Sequence, residues 1–366
     1  MICIRGLERG DIVSIEIHKV EKSRIDEVDF DNLVFGHTFS DHMFQMEYRN
    51  NKWNPPAIIP FGKIEVYPSL SSLHYGQSIF EGLKAFRSAD GSVNIFRLDK
   101  HIARMENSCK RMCIPTLDSE MFKEAVTTLV GLDRQWIPQA RGSSLYIRPF
   151  IFASENYIGV RVSEKYDFYI LTGPVSTYFK EGLSPVKLMT SEGYVRAVRG
   201  GLGEAKTAAN YAASLLPAME AQRRGFSQVL WLDALEGKYI DEVGTMNIAF
   251  FKDDVLITPP LEGTILPGVT RDSVIQIAKK KGIKVEERRI SIDEVMESVK
   301  DGSMTEIFGP GTAAVISPVG EVYHNGESVT VNNFKTGPIA KMFYDEITGI
   351  QYGEKEDTFG WITKIQ

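Results

Sequence analysis

Cysteine is scarce, with three in 366 residues, at Cys3, Cys109 and Cys113. So low and odd a count excludes a disulfide framework and favours a reducing compartment. The six histidines show no His-Glu-x-x-His spacing and no paired Cys-x-x-Cys, so no metal centre is expected. His37 and His42 are five residues apart on a strand-like segment and would face opposite sides. No apolar run approaches the ~20 residues of a membrane span. The opening MICIRGLERGDIVSIEIHKVEKS lacks the apolar core of a signal peptide. A cytoplasmic chain that enters no membrane is expected. Neither GxGxxG nor GxxxxGK[ST] occurs, and the Gly-Ser-Ser-Leu at Gly142 is not a nucleophile elbow. The formal charge is −6, which argues against nucleic acid as a partner.

What is present is an ordinary globular composition, 43% hydrophobic and 25% charged, over a length that suits two domains. LVFGHTFSDHMFQMEY reads as a strand. GLKAFRSADGSVNIFR reads as a hairpin turning at Asp90-Gly91. LDKHIARMENSCKRM reads as a helix capped by Asp99, its apolar face made by Ile102, Met105, Cys109 and Met112. DSEMFKEAVTTLVGL is a second helix; SSLYIRPFIFASE and YDFYILTGPV are buried strands. Two glycines and two prolines in GPVSTYFKEGLSPVK mark a linker. The division expected is residues 1–173, a linker at 174–187, and 188–366. In the second part TRDSVIQIAKKKG is a helix capped by Thr270, and Ser291 with Glu294 forms a capping-box pattern. Strands and helices mix without regular βαβ alternation, so the fold class expected is α+β.

One lysine has an unusual setting. Lys206 follows the glycine-rich GGLGEA and precedes a helix with small residues at its start. A helix N-terminus disfavours a protonated amine, and a neutral lysine is a nucleophile toward aldehydes. Schiff-base chemistry on amino acids points to pyridoxal 5′-phosphate, which needs a lysine, an acid facing its ring nitrogen and a phosphate cup. Glu242, beside Asp241 in a strand, can supply the acid, because alternation sends the two carboxylates to opposite faces. The backbone N–H groups of Val269 and Thr270 at a helix start, the GPGT turn ending at Thr312, and Arg97 at the end of the hairpin can supply the cup. Each signal has an ordinary structural alternative; the set together is what points to the coenzyme.

LHYGQSIFEGLKAF, NIFRLDKHIARM, GGLGEAKTAANYAASL, DEVGTMN, TPPLEGTILPGVTRDSV and EIFGPGTAAVISPVG carry a family resemblance along nearly the whole chain. The sequence resembles the branched-chain-amino-acid aminotransferases of pyridoxal-phosphate fold type IV. The resemblance implies a small N-terminal α/β domain and a larger C-terminal mixed domain with the coenzyme between them, in a homodimer. It implies that Lys206 holds the coenzyme as a Schiff base and moves the proton, that Tyr211 bonds the ring oxygen and that Glu242 meets the ring nitrogen. Arg97, Val269, Thr270 and Thr312 would hold the phosphate. Phe35, Tyr75, Phe80, Tyr146, Tyr178, Thr245 and Ala313 would form the substrate pocket, with Arg148 at its side. The reaction implied is ping-pong transamination of leucine, isoleucine and valine with 2-oxoglutarate. Alternatives are a D-amino-acid aminotransferase, an aminodeoxychorismate lyase, or a non-catalytic binding protein on the same fold. Animal members carry a Cys-x-x-Cys pair where this chain has Ala314 and Ser317, and a microbial source is expected.

Overall fold

The structure is a computed structural model that describes residues 14–176, 183–191 and 193–365. The chain forms two compact units. One comprises Met1–Tyr178, Ala205–Ala208 and Ile350–Gln366; the other comprises Phe179–Glu204 and Ala209–Gly349.

The first unit is built on a ten-stranded sheet. Its main path runs Glu16–Ile17, Ala57–Pro60, His42–Arg49, Tyr166–Val175, Ser144–Ala153, Leu83–Arg87, Val93–Phe96 and Ile362–Ile365. The expected hairpin forms, with Ala85 opposite Ile95 and Arg87 opposite Val93. Alternation along Ser144–Ala153 decides what each face does. Leu145, Ile147 and Ile151 are buried in the main core, whereas Tyr146, Arg148 and Phe150 are only half-buried. The core side is packed with Leu98, Met105 and Cys109 from the helix Leu98–Arg111, and with Phe122, Val126 and Leu129 from the helix Ser119–Leu132. Each fully buried Leu, Ile or Phe stabilises by about 1.5–3 kcal/mol relative to exposure.

The second unit holds a nine-stranded mixed sheet. Its path runs Ile240–Val243, Gln228–Leu232, Val186–Thr190, Val315–His324, Met304–Gly311, Ala249–Lys252, Val255–Thr258 and Lys284–Glu287. Val186–Thr190 pairs in parallel with both its neighbours. Val255–Thr258 pairs in parallel with Lys284–Glu287 after the intervening helix Val269–Lys280. Local βαβ crossovers therefore occur inside an α+β whole.

Several sequence expectations are corrected. Of LVFGHTFSDHMFQMEY only the stretch from His42 onward is strand; His37 lies in a turn. The first helix begins at Leu98 with Arg97 at its cap, and Asp99 sits in the first turn, where a carboxylate still complements the helix dipole. The cap of Val269–Lys280 is Gly268, not Thr270. Ser291 does cap its helix, accepting from the Glu294 N–H at 3.0 Å, but the Glu294 carboxylate turns to Arg288 and Lys252. The helix after Lys206 is broken into Ala208–Ala213 and Leu215–Arg223. The contiguous division also changes. Residues 205–208 and 350–366, expected in the second part, belong to the first unit: Ile362–Ile365 pair with the edge strand Val93–Phe96, and Lys206 and Thr207 bond to Ser78, Phe80 and Ser108. Within the expected linker 174–187, residues 174–175 end one strand and 186–187 open another. Residues 177–182 lie outside the described residues.

Candidate active site

In the first unit, the half-buried face of the sheet gathers Phe35, Phe80, Tyr146 and Arg148 of the expected pocket residues. Tyr146 makes an edge-to-face contact with Phe35, centroids 4.9 Å apart. Its hydroxyl accepts from Arg148 Nη2 at 3.0 Å. The ring lies so close over Gly82 that a Cβ there would collide with the Tyr146 hydroxyl and displace it. The Arg148 guanidinium lies over Phe80 at 4.7 Å and over Tyr146 at 5.3 Å. Its Nε is buried and has no hydrogen-bond partner. Lys206 Nζ lies 4.9 Å from the centre of the same Phe80 ring. Phe80 thus packs beside both the Lys206 amine and the Arg148 guanidinium. Tyr75 ends the short helix Ser71–Tyr75, exposed, with its ring beside His74. Tyr178 lies outside the described residues.

The Lys206 backbone is pinned on both sides. Its N–H donates to Ser108 Oγ at 3.0 Å, its carbonyl accepts from the Phe80 N–H at 3.0 Å, and the neighbouring Thr207 Oγ1 donates to the Ser78 carbonyl at 2.7 Å. Arg97 is fully buried in a left-handed conformation, φ 54°, a geometry costing roughly 1–2 kcal/mol for a non-glycine residue. Its N–H donates to the Trp361 carbonyl at 2.7 Å, and its guanidinium stacks on the Trp361 ring at 4.8 Å.

In the second unit, Glu242 is buried on the strand Ile240–Val243. Its Oε1 accepts from the Leu266 N–H at 2.7 Å and from Asn247 Nδ2 at 3.3 Å, and its Oε2 pairs with Arg196 Nε at 2.8 Å. Asn247 also donates to the Leu266 carbonyl at 2.9 Å and packs against Gly268, where any Cβ would strike its Oδ1. The network therefore ties Glu242 to the start of the helix at Val269 and Thr270, both buried. The first N–H groups of any helix point out of its end and favour an anion there. Thr312 and Ala313 form the turn between Met304–Gly311 and Val315–His324, closed by Val315 at a strained φ of 62°. Thr245 is exposed in the turn after Val243; Tyr211 is half-buried on Ala208–Ala213. Asp241, neighbour of Glu242, has its carboxyl pushed up to about 6, chiefly by burial.

Residues missed by sequence reasoning include Arg196 and Asn247, whose types are ordinary and whose partners are remote in sequence. Lys84 is another. It is buried, stands opposite Tyr146 in register and so shares its face. Burial pushes its amine down to about 8. A third group is Glu81, His101 and Arg104. One signal was legible for it: His101, Arg104 and Ser108 are polar residues on the buried face of an amphipathic helix. Among the described residues no group of three or more His, Cys, Asp or Glu is placed to hold a metal ion, and no helix is long and apolar enough to cross a membrane.

A pinned lysine, a buried carboxylate wired to a helix N-terminus and a buried arginine define a class of protein that the comparisons identify. The family described as amino-transferase class IV matches residues 78–322, and the chain belongs to it. Among curated relatives, branched-chain-amino-acid aminotransferase 2 of Bacillus subtilis is 49% identical over 354 residues, covering 96% of this chain and 97% of its own length. The crystal structure of the Escherichia coli branched-chain amino acid aminotransferase matches with a TM-score of 0.71 at 30% identity, covering 87% of this chain and 98% of that one. The branched-chain amino acid aminotransferase of Thermobaculum terrenum, in its PLP-bound holo form, matches with a TM-score of 0.75 at 25% identity, covering 90% and 100%.

Proposed function

We propose that the protein is a pyridoxal-phosphate-dependent branched-chain-amino-acid aminotransferase, moving the amino group of L-leucine, L-isoleucine or L-valine to 2-oxoglutarate in a ping-pong exchange. The observation that carries this reading is the Phe80 ring, with the Lys206 amine 4.9 Å from its centre and the Arg148 guanidinium at 4.7 Å. A nucleophilic amine and a carboxylate-binding fork share one aromatic wall, which is the chemistry that an apolar amino acid and a dicarboxylate need in turn.

The donor chemistry fits the coenzyme. Glu242 is a buried carboxylate, and its two oxygens offer about four acceptor positions, so it can meet a ring N–H beyond its partners within the chain. The start of the helix at Val269–Thr270 suits a phosphate; Arg97 and Thr312 are the further phosphate-holding residues that the family resemblance implies. When bound, pyridoxal phosphate supplies an aldehyde carbon for the amino group and a protonated ring that accepts the electron pair left at the substrate Cα. Lys206 Nζ takes the proton from the substrate Cα and later returns one to the oxo-acid carbon. With the coenzyme bound, Glu242 would hold a proton on the ring nitrogen and Tyr211 would bond the ring oxygen. Phe35, Phe80 and Tyr146 exclude water from a branched side chain, worth about 1.5–3 kcal/mol; Tyr75, Tyr178, Thr245 and Ala313 are the further pocket residues that the family resemblance implies. For 2-oxoglutarate, Arg148 and the Tyr146 hydroxyl donate to the distal carboxylate, and the buried Arg148 Nε adds a further donor.

The protein works as a homodimer in the cytoplasm. Exposed Leu215, Leu216 and Met219 on one helix support self-association, and the scarcity of cysteine supports a reducing compartment. Turnover of L-leucine with 2-oxoglutarate, compared with D-alanine, tests the activity. Turnover of the D-isomer alone would replace this reading with a D-amino-acid aminotransferase.

A further inference from the structure

The first unit contains a closed circuit of polar contacts that leads from the Lys206 backbone through buried groups to which no step of the reaction has been assigned. Starting at the lysine, its N–H donates to Ser108 Oγ at 3.0 Å, and the Ser108 hydroxyl donates one helical turn back to the Arg104 carbonyl at 3.1 Å. The Arg104 guanidinium grips Glu81 with Nε at 2.7 Å and Nη2 at 2.8 Å. Glu81 adjoins Phe80, whose N–H returns to the Lys206 carbonyl at 3.0 Å. His101 Nδ1 braces Glu81 at 2.8 Å, and the Glu81 N–H is fixed to the Pro149 carbonyl at 2.7 Å. Glu81, His101, Arg104 and Ser108 are all buried. Burial opposes ionisation of Glu81, but the Arg104 charge and the bonds from Arg104 and His101 outweigh it, so its carboxyl is held well below the ordinary range. Burial lowers the affinity of His101 for a second proton.

A buried ion pair is a poor device for stability alone, because desolvation cancels most of its attraction. It is a good device for fixing geometry. Lys206 belongs to a four-residue visit, Ala205–Ala208, by a chain whose flanking residues lie in the other unit. So short a segment is held by its contacts with the first unit. Its anchors include Ser108, the Phe80 N–H and the Thr207 bond to Ser78. We propose that this circuit is a positioning device for the Lys206 amine, with Ser108 as the positioning residue that joins the Arg104–Glu81 brace to the lysine backbone. The inference rests on the aminotransferase reading of Lys206. A lysine that must reach a substrate carbon on one side and a ring on the other loses rate steeply with displacement, about 10²-fold for 1 Å.

The test uses the holoenzyme with L-leucine and 2-oxoglutarate. Ser108→Ala removes one hydroxyl, and kcat is expected to fall about 10–30-fold with KM within about twofold. The rate at which the apoprotein captures pyridoxal phosphate into its lysine-bound form, read by absorbance, is expected to fall in parallel. Thr207→Val, nearly isosteric, opens the clamp from the other side of the lysine and should act in the same direction. Val126→Ala, in the core of the same unit, serves as the control, expected to lower Tm at least as far while kcat stays within about twofold. Rates for Ser108→Ala and Thr207→Val within about twofold of wild type, or a matching loss of kcat in Val126→Ala, would overturn the proposal while an active wild type left the aminotransferase reading standing. A wild type inert toward all amino acids would remove both.

Discussion

The two faces of the strand Ser144–Ala153 make opposite use of one stretch of backbone. Leu145, Ile147 and Ile151 are completely buried against two helices. Tyr146 and Arg148, one residue away in each case, are half-buried and meet Phe35 and Phe80. The period of two separates the work: one face excludes water to hold the sheet, and the other keeps polar groups beside aromatic walls. The cost appears on the second face, where Arg148 Nε is buried without a partner and Lys84 is buried with its amine pushed down to about 8. Native folds tolerate such departures where a ligand uses the group.

That contrast can be broken from either side. The largest effect is expected from Lys206→Ala, which should lower turnover on the order of 10⁴-fold with little change in Tm; residual turnover near wild type in a steady-state assay would assign the proton to another group. Ile147→Ala, on the core face, should cost about 2–5 kcal/mol in urea unfolding yet leave kcat per folded molecule unchanged. A loss of kcat without a loss of stability would mean that the faces are not separate. Arg148→Met keeps the bulk but removes the donors. Its KM for 2-oxoglutarate should rise by about 1.5–3 kcal/mol in binding terms, whereas leucine in a single half-reaction is nearly unaffected; equal effects on both substrates would deny Arg148 its selectivity.

A further prediction concerns pH. Lys84 has a folded value near 8 against 10.5 for the free side chain, so between these the unfolded chain binds more protons. Stability should therefore rise as pH increases through 8 to 10.5, and the burial penalty is present in full below that window. Denaturation of wild type and Lys84→Met across this range should show the gap between them narrowing with pH; a constant gap would mean that the amine does not change its charge there.

Legibility from sequence followed the range of the forces. The hairpin at Asp90-Gly91, the helix Ser119–Leu132 and the Ser291 cap depend on neighbours within a few residues, and all form. The expectations that missed are also instructive. Asp99 and Thr270 are good capping residues one or two positions inside their helices, and the chain caps with Arg97 and Gly268 because tertiary partners claim those positions. Arg97 is held by the Trp361 carbonyl, and Gly268 is crowded by Asn247.

By itself the sequence determined the inventory: one lysine beside a glycine-rich approach, the adjacent carboxylates Asp241 and Glu242 of which one can point inward, a phosphate-suited helix start and a set of motifs specific enough to indicate the family. Only the tertiary structure decided the wiring. It brought residues 205–208 into the first unit, set Arg196 against Glu242, and closed Glu81, His101, Arg104 and Ser108 around the lysine backbone. The reason is that side-chain type and spacing act along the chain. Burying a charge requires a partner delivered from elsewhere in the chain, and no local pattern specifies which one arrives.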